Sequence, residues 1–375
     1  MNPPSPVGIL PEDVTRRPVA GPATVERILI VRLGAMGDVI HGFPAVAGLR
    51  AAFPDAVIGW LIEERWAELL CTLSTPRSGP RSAQRPLVDR IHTVNTRQWR
   101  RVPLAVATWE RIAASLSDLR AAKYEIAIDL QGAVRSSLLA RWSGAPVIYG
   151  FAQPRENLAT MFYTRQIITN SQHVVEQNLS LAGAVAHRRM ILPSAELPRD
   201  AAAEQECDLR FKAYGTRGVA LLNPGAGWGA KQWPPERYGQ VAQQLSEDGL
   251  KVLINFGPGE EDLASAVENA SNGAAEKFTG TLTQLIALTR CASVFIGGDT
   301  GPMHLAAALG IPVVGIFGPT DPARNGPFGT GSVVLRSSSS STSYSHVAQA
   351  DEGLLEISAA RVVAAARQLL EVCRG

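Results

Sequence analysis

Four cysteines occur in 375 residues, Cys71, Cys207, Cys291 and Cys373, with no CxxC pair among them. Neither a zinc site nor a disulfide framework is indicated, and reduced, mostly buried thiols are expected. No apolar run approaches the roughly 20 residues that a membrane-spanning helix needs, so any membrane contact is expected to be peripheral. Residues 1–24 are rich in proline and lack an apolar core, which excludes a signal peptide and predicts a disordered tail. Charge of one sign is missing too. The 36 Lys and Arg against 34 Asp and Glu leave a net +2, which does not suit a dedicated nucleic-acid binder. There is no GxGxxG fingerprint with an acid about 20 residues on, so a dinucleotide site is weakly supported. A P-loop is absent as well, because Lys231 is followed by Gln232 and not by Ser or Thr.

What is present is alternation. The composition, 46% hydrophobic and 19% charged, is that of a soluble globular protein. Apolar runs at 27–32, 56–63, 88–94, 124–130 and 147–151 alternate with helical patterns, the last of them at 174–186. A second series of strand-like runs at 219–223, 251–256, 294–296 and 313–317 does the same. Residues 188–215 between the two series have no strong period. This reads as an α/β chain with two doubly wound Rossmann-like domains facing a cleft. The expected divisions are the tail 1–24, an N-terminal domain 25–195, a linker 196–214, a C-terminal domain 215–350 and a closing amphipathic helix 351–375. Breaker-rich residues 74–86 are expected to be a mobile loop, and the Arg/Ser/Thr/Tyr tract 336–345 another loop.

Ligands of such sheets bind beyond the C-terminal strand ends, and four polar clusters follow strands. After the strand that ends at Val294–Ile296, Asp299, Thr300, Gly301 and His304 open a helix with Pro302 near its first position. Free N–H groups and the helix dipole suit phosphate there, which points to a nucleotide-diphosphate site. His304 lacks a His or Cys partner at ligand spacing, so a phosphate contact or a structural role fits it better than a metal. Asn223, Gly225 and Lys231 lie in a second Gly-rich turn, where backbone N–H groups and one ammonium could hold a pyrophosphate, or the lysine could simply be solvated. Glu260 and Glu261 follow a third strand; an acid here can take ribose hydroxyls or merely complement the helix dipole. In Gly34-Ala35-Met36-Gly37-Asp38 the glycines leave room for substrate, and Asp38 is either a helix cap or a general base. Arg97, Arg100 and Arg101 form a basic patch that is either a solvated face or a site for an anionic acceptor.

Together, in this order and spacing, these clusters resemble glycosyltransferase family 9, the lipopolysaccharide heptosyltransferases. Gly298-Asp299-Thr300-Gly301-Pro302-Met303-His304 with Phe317-Gly318-Pro319-Thr320-Asp321-Pro322 is the most specific part. Met36-Gly37-Asp38, Ile128-Asp129-Leu130-Gln131-Gly132, Arg155-Glu156-Asn157-Leu158-Ala159 and Lys231-Gln232-Trp233-Pro234 look like segments of its heptosyltransferase I branch. The resemblance implies a GT-B fold and an inverting, metal-independent transfer of L-glycero-D-manno-heptose from ADP-heptose to the Kdo region of lipid A. It implies no cofactor beyond that substrate. It casts Asp38 as general base and Lys231 as the cation on the donor phosphates. Asn223, Gly225, Asp299, Thr300, Gly301, His304 and one of Glu260 and Glu261 become donor contacts. Gly37, Arg97, Arg100, Arg101, Gln131 and Arg155 become acceptor contacts. A monomer on the cytoplasmic face of the inner membrane is expected, with the last helix crossing back onto the N-terminal domain. Alternatives are another core-oligosaccharide acceptor, a nucleotide-sugar enzyme of another class such as an epimerase, or a non-catalytic nucleotide-sugar binder.

Overall fold

A computed structural model describes residues 25–191, 195–343 and 349–372. The expected disordered tail, residues 192–194 at the end of the expected N-terminal domain, the end of the serine-rich tract and Cys373 lie outside them.

The first half is built from β1 (Arg27–Val31), α1 (Met36–Ala52), β2 (Val57–Glu63), β3 (Arg90–Val94), α2 (Thr96–Arg101) and α3 (Val106–Ala121). It continues through β4 (Ile126–Asp129), α4 (Val134–Trp142), β5 (Val147–Phe151), β6 (Arg165–Ile167) and α5 (Val174–Ala186). The second half holds α6 (Ala201–Tyr214), β7 (Val219–Asn223), α7 (Pro235–Glu247), β8 (Lys251–Asn255), α8 (Glu261–Ala270), β9 (Ala275–Phe278) and α9 (Leu282–Cys291). After these come β10 (Val294–Gly298), α10 (Gly301–Ala308), β11 (Val313–Phe317), α11 (Pro322–Asn325), β12 (Ser332–Arg336), α12 (Glu352–Leu355) and α13 (Ala359–Val372).

Each half forms one six-stranded parallel sheet. The orders are β3-β2-β1-β4-β5-β6 and β9-β8-β7-β10-β11-β12, the same Rossmann order twice. In both, the chain reverses direction across the sheet after its third strand, so a crevice opens at the strand ends between β1 and β4 and between β7 and β10. The runs read as strands are buried on both faces; Ile28 to Val31 and Val294 to Ile296 are wholly inaccessible, as parallel sheets require. Cys71 and Cys207 are buried and, with Cys291, unpaired.

Three expectations need correcting. The closing segment does not cross back: α13 packs on α7, β10, β11 and β12, and Leu354, Ile357, Val362, Ala366 and Leu369 belong to the C-terminal core. Their apolar face finds its complement in the sheet beside it. Within the supposed linker, residues 201–214 form α6, started by Asp200 accepting from the Ala202 and Ala203 N–H groups and packed on α9. Its weak periodicity reflects a helix in which, among the described side chains, only Ala203 and Cys207 are buried. The 74–86 stretch is likewise organised. Arg85, 2% exposed, donates to the carbonyls of Pro76, Gly79, Pro80 and Val88, so one guanidinium satisfies the acceptors that a Pro/Gly-rich turn leaves open.

Candidate active site

The two crevices face each other. α1 and α10, the helices that open from β1 and β10, pack directly together, and Gly37 and Gly301 permit it. A Cβ on Gly37 would strike the His304 ring, and one on Gly301 would strike Met36. Further contacts close the same seam. Gln172 reaches Asp321, His173 donates to the Gly326 carbonyl, and Glu68 accepts from the Thr283 N–H and hydroxyl.

On the C-terminal side, Lys231 lies with Nζ 2.7 Å from Asp299 Oδ2 and 3.2 Å from the Asp299 carbonyl, and 4.2 Å from the Trp228 ring centroid. The other carboxylate oxygen of Asp299 is 3.2 Å from His304 Nε2. All three side chains are at most 10% exposed. Burial works against the Asp299 carboxylate, yet the hydrogen bond from His304 and then the charge and bond of Lys231 hold it well below the usual carboxyl range. Asp299 is therefore an acceptor that fixes one cation and one imidazole at the start of α10. Thr300 is the N-cap of that helix without a capping side-chain bond; Pro302 carries no N–H, and those of Met303 and His304 turn back to the Thr300 carbonyl, so the start of α10 offers the dipole and few free donors.

Asn223, at the end of β7, donates to the Gly225 carbonyl and, at 3.4 Å, to Thr300 Oγ1, while Asn255 donates to its Oδ1 at 2.6 Å. This buried amide pair ties the three turns of the C-terminal sheet together. Glu260 is separated from Glu261 here. Its carboxylate accepts from the Gly257 N–H at 2.8 Å and fills the space beside Gly225, whereas Glu261 begins α8 exposed.

On the N-terminal side, Asp38 is the third residue of α1. Its Oδ2 accepts from the Ala35 N–H at 3.2 Å and its Oδ1 pairs with Arg32 at 2.8 Å. The side chain remains 36% exposed although Arg32 is buried. Asp38 thus caps and faces the cleft at once; the two readings are not exclusive. Gln131 lies beneath the turn, where its Oε1 accepts from the Leu33 N–H. It is in turn positioned by wholly buried Asp129, which accepts from the Gln131 and Gly132 N–H groups and the Ser136 and Tyr163 hydroxyls.

Arg97, Arg100 and Arg101 stand exposed on α2, and Arg155 is exposed after β5. Both groups lie at the C-terminal edge of the N-terminal sheet. Exposed Arg135, at the start of α4, bonds Thr96 and feels Glu63 and the charges of Arg100 and Arg155, so it links the two clusters.

Sequence reasoning missed four residues: Arg32, Glu63, Arg135 and His41. Arg32, a charge ending an apolar strand just before a glycine turn, was the findable one. His41 lies one helical turn after Asp38 and had no visible partner in the sequence. Among the described residues, no group of three or more His, Cys, Asp or Glu could hold a metal ion.

Two facing Rossmann-like domains, with a cation and a helix start on one side and a cleft-facing carboxylate on the other, define a GT-B glycosyltransferase. The sequence model of glycosyltransferase family 9 (heptosyltransferase) matches residues 112–354, and the chain belongs to that family. It is similar to lipopolysaccharide heptosyltransferase 1 of Pseudomonas aeruginosa, at 30% identity over 83% of this chain and 84% of that one. It is likewise similar to lipopolysaccharide heptosyltransferase 1 of Escherichia coli K12, at 27% identity over 83% and 93%. The solved E. coli heptosyltransferase WaaC with ADP-2-deoxy-2-fluoro heptose superposes with a TM-score of 0.72 at 25% identity, over 92% of this chain and 99% of that one.

Proposed function

We propose that this glycosyltransferase moves L-glycero-D-manno-heptose from ADP-heptose to the Kdo region of lipid A, inverting the anomeric carbon without a metal ion. The observation that carries the reading is the close approach of Gly37 to His304, which sets the first turn of α1, with Asp38 on it, beside the helix start that holds the Lys231–Asp299–His304 cluster. In the proposed reaction an acceptor hydroxyl oxygen attacks the anomeric carbon in line. Its proton passes to the Asp38 carboxylate, the bond from that carbon to the phosphate oxygen breaks, and ADP leaves with the electron pair. Lys231 and the positive end of the α10 dipole offset the charge that develops on the diphosphate. Glu260 takes the ribose hydroxyls, and Arg97, Arg100, Arg101 and Arg155 meet the acidic groups of the acceptor.

The reading places the enzyme as a monomer, peripheral to the cytoplasmic face of the inner membrane. Among the described residues no helix is long and apolar enough to cross a membrane. The test is incubation with ADP-heptose and Kdo-lipid A, in buffer with and without EDTA. A product heavier by one heptose, and unaffected by the chelator, is expected. ADP release that depends on acceptor excludes the epimerase alternative; conversion of the donor with neither ADP release nor a heavier acceptor would favour it.

A further inference from the structure

His41 has no part in the reaction as derived, yet it is 5% exposed and reaches across the seam between the domains. Its Nε2 lies 3.0 Å from Nδ1 of His304, whose Nε2 is on Asp299, whose other oxygen is on Lys231. One hydrogen-bonded chain therefore runs from α1, three residues beyond Asp38, to the donor-side cation. The backbone beneath His41 is anchored, since wholly buried Asn178 of α5 donates to its carbonyl at 3.0 Å.

The proton positions follow from the partners. Ionised Asp299 can only accept, so His304 Nε2 carries hydrogen. Across the 3.0 Å contact one ring nitrogen donates and the other accepts; His304 Nδ1 accepting makes His41 the donor, from Nε2. Nδ1 of His41, buried with no hydrogen-bond partner among the described residues, is then a bare lone pair. The opposite polarity would bury an N–H without an acceptor, the rarer situation in folded proteins. Burial, with His304 and His173 close by, pushes His41 toward the neutral state that this arrangement needs.

We propose that His41 is a positioning residue for heptosyl transfer: it donates to His304 when the domains close and so holds the His304–Asp299–Lys231 cluster in register for the departing diphosphate. The contact joins elements of different domains, so it forms only when α1 meets α10. Closure and completion of the leaving-group site are then one event. This rests on the transfer reading above.

The test compares His41→Phe, which keeps a ring but cannot donate, with His41→Gln, which can. Kinetics are run at saturating Kdo-lipid A, with ADP affinity measured by calorimetry. For His41→Phe we expect kcat to fall about fivefold to tenfold, the worth of one hydrogen bond. ADP affinity should stay within twofold of wild type, and His41→Gln should recover most of kcat. Hydrogen exchange gives a readout independent of turnover. In the wild type, ADP should protect amides of both 36–41 and 301–304; in His41→Phe only the second segment should respond. Wild-type kcat in His41→Phe overturns the proposal. So does equal loss of kcat and ADP affinity in both variants, which marks a merely structural side chain, and so does retained protection of 36–41 in His41→Phe. A wild-type protein that shows the exchange pattern but no heptose transfer refutes the transfer reading, and leaves His41 only as the residue that couples ADP binding to the meeting of α1 and α10.

Discussion

Asp38→Asn separates capping from catalysis, because the structure sets different magnitudes for the two. Asparagine keeps an oxygen that can accept from the Ala35 N–H, so the cap survives. What is lost is the charge facing Arg32, whose buried guanidinium retains the Leu130 carbonyl as a partner. Removing one member of a fully buried pair costs about 3–5 kcal/mol. With Asp38 36% exposed, water can reach the vacated side, which brings the cost nearer about 1.5 kcal/mol, or about 2 °C of Tm for a chain this long. Against a typical stability of about 5–15 kcal/mol the protein stays folded. Loss of a general base should lower kcat by about 10²- to 10⁴-fold, or about 2.7–5.4 kcal/mol of activation free energy, with ADP affinity nearly intact. A heptosyltransferase assay alongside calorimetric ADP titration measures both. Turnover within tenfold of wild type, in a variant that binds ADP normally, would reduce Asp38 to a cap and refute the mechanism.

Other outcomes follow from the same geometry. Lys231→Ala should weaken ADP-heptose binding and transfer together, each by at least tenfold, because the ammonium paired with Asp299 is removed; unchanged kinetics would exclude a phosphate role. Glu260→Gln should raise the KM for donor severalfold while Glu261→Gln leaves it unaltered, since only Glu260 reaches Gly225 and Gly257; the reverse ranking would reassign the ribose contact. Arg85→Ala should cost about 2 kcal/mol, lower Tm by about 3 °C and open residues 74–86 to limited proteolysis, leaving kcat alone. His41 and His173 are both held below the ordinary value of 6.5, chiefly by burial. A group depressed in the folded state is protonated first in the unfolded one, so their contribution is complete above about pH 6.5 and is lost as pH falls. Melting curves from pH 7.5 to 5 should show Tm falling, and falling less in His41→Phe.

The legible part of this protein was the part written in short apolar runs. Val219–Asn223 and Val313–Phe317 are buried on both faces and were readable from composition alone, and each Gly-rich cluster fell where a strand ends because the chain must turn there. β9 and β12 went unread because their strands, Ala275–Phe278 and Ser332–Arg336, mix polar and apolar residues at the sheet edges, where only one face needs burying. The fate of α13 was misjudged for a similar reason. A 3.6-residue stripe shows that a helix has a partner, not which one, and here the partner was the nearer sheet.

The seam between the domains was the least legible of all, since its contacts join residues hundreds of positions apart and leave no local period. Gly37 shows what this does to inference. In sequence it could be a tight turn or room for substrate; in space a side chain there would collide with His304. The glycine that lets α1 begin beside β1 is thus also what lets Asp38 approach the diphosphate side of the cleft. Gly37→Ala should therefore damage turnover more than either ADP binding or stability. Its Cβ would hold the base away from the departing group while leaving both Rossmann-like domains able to fold.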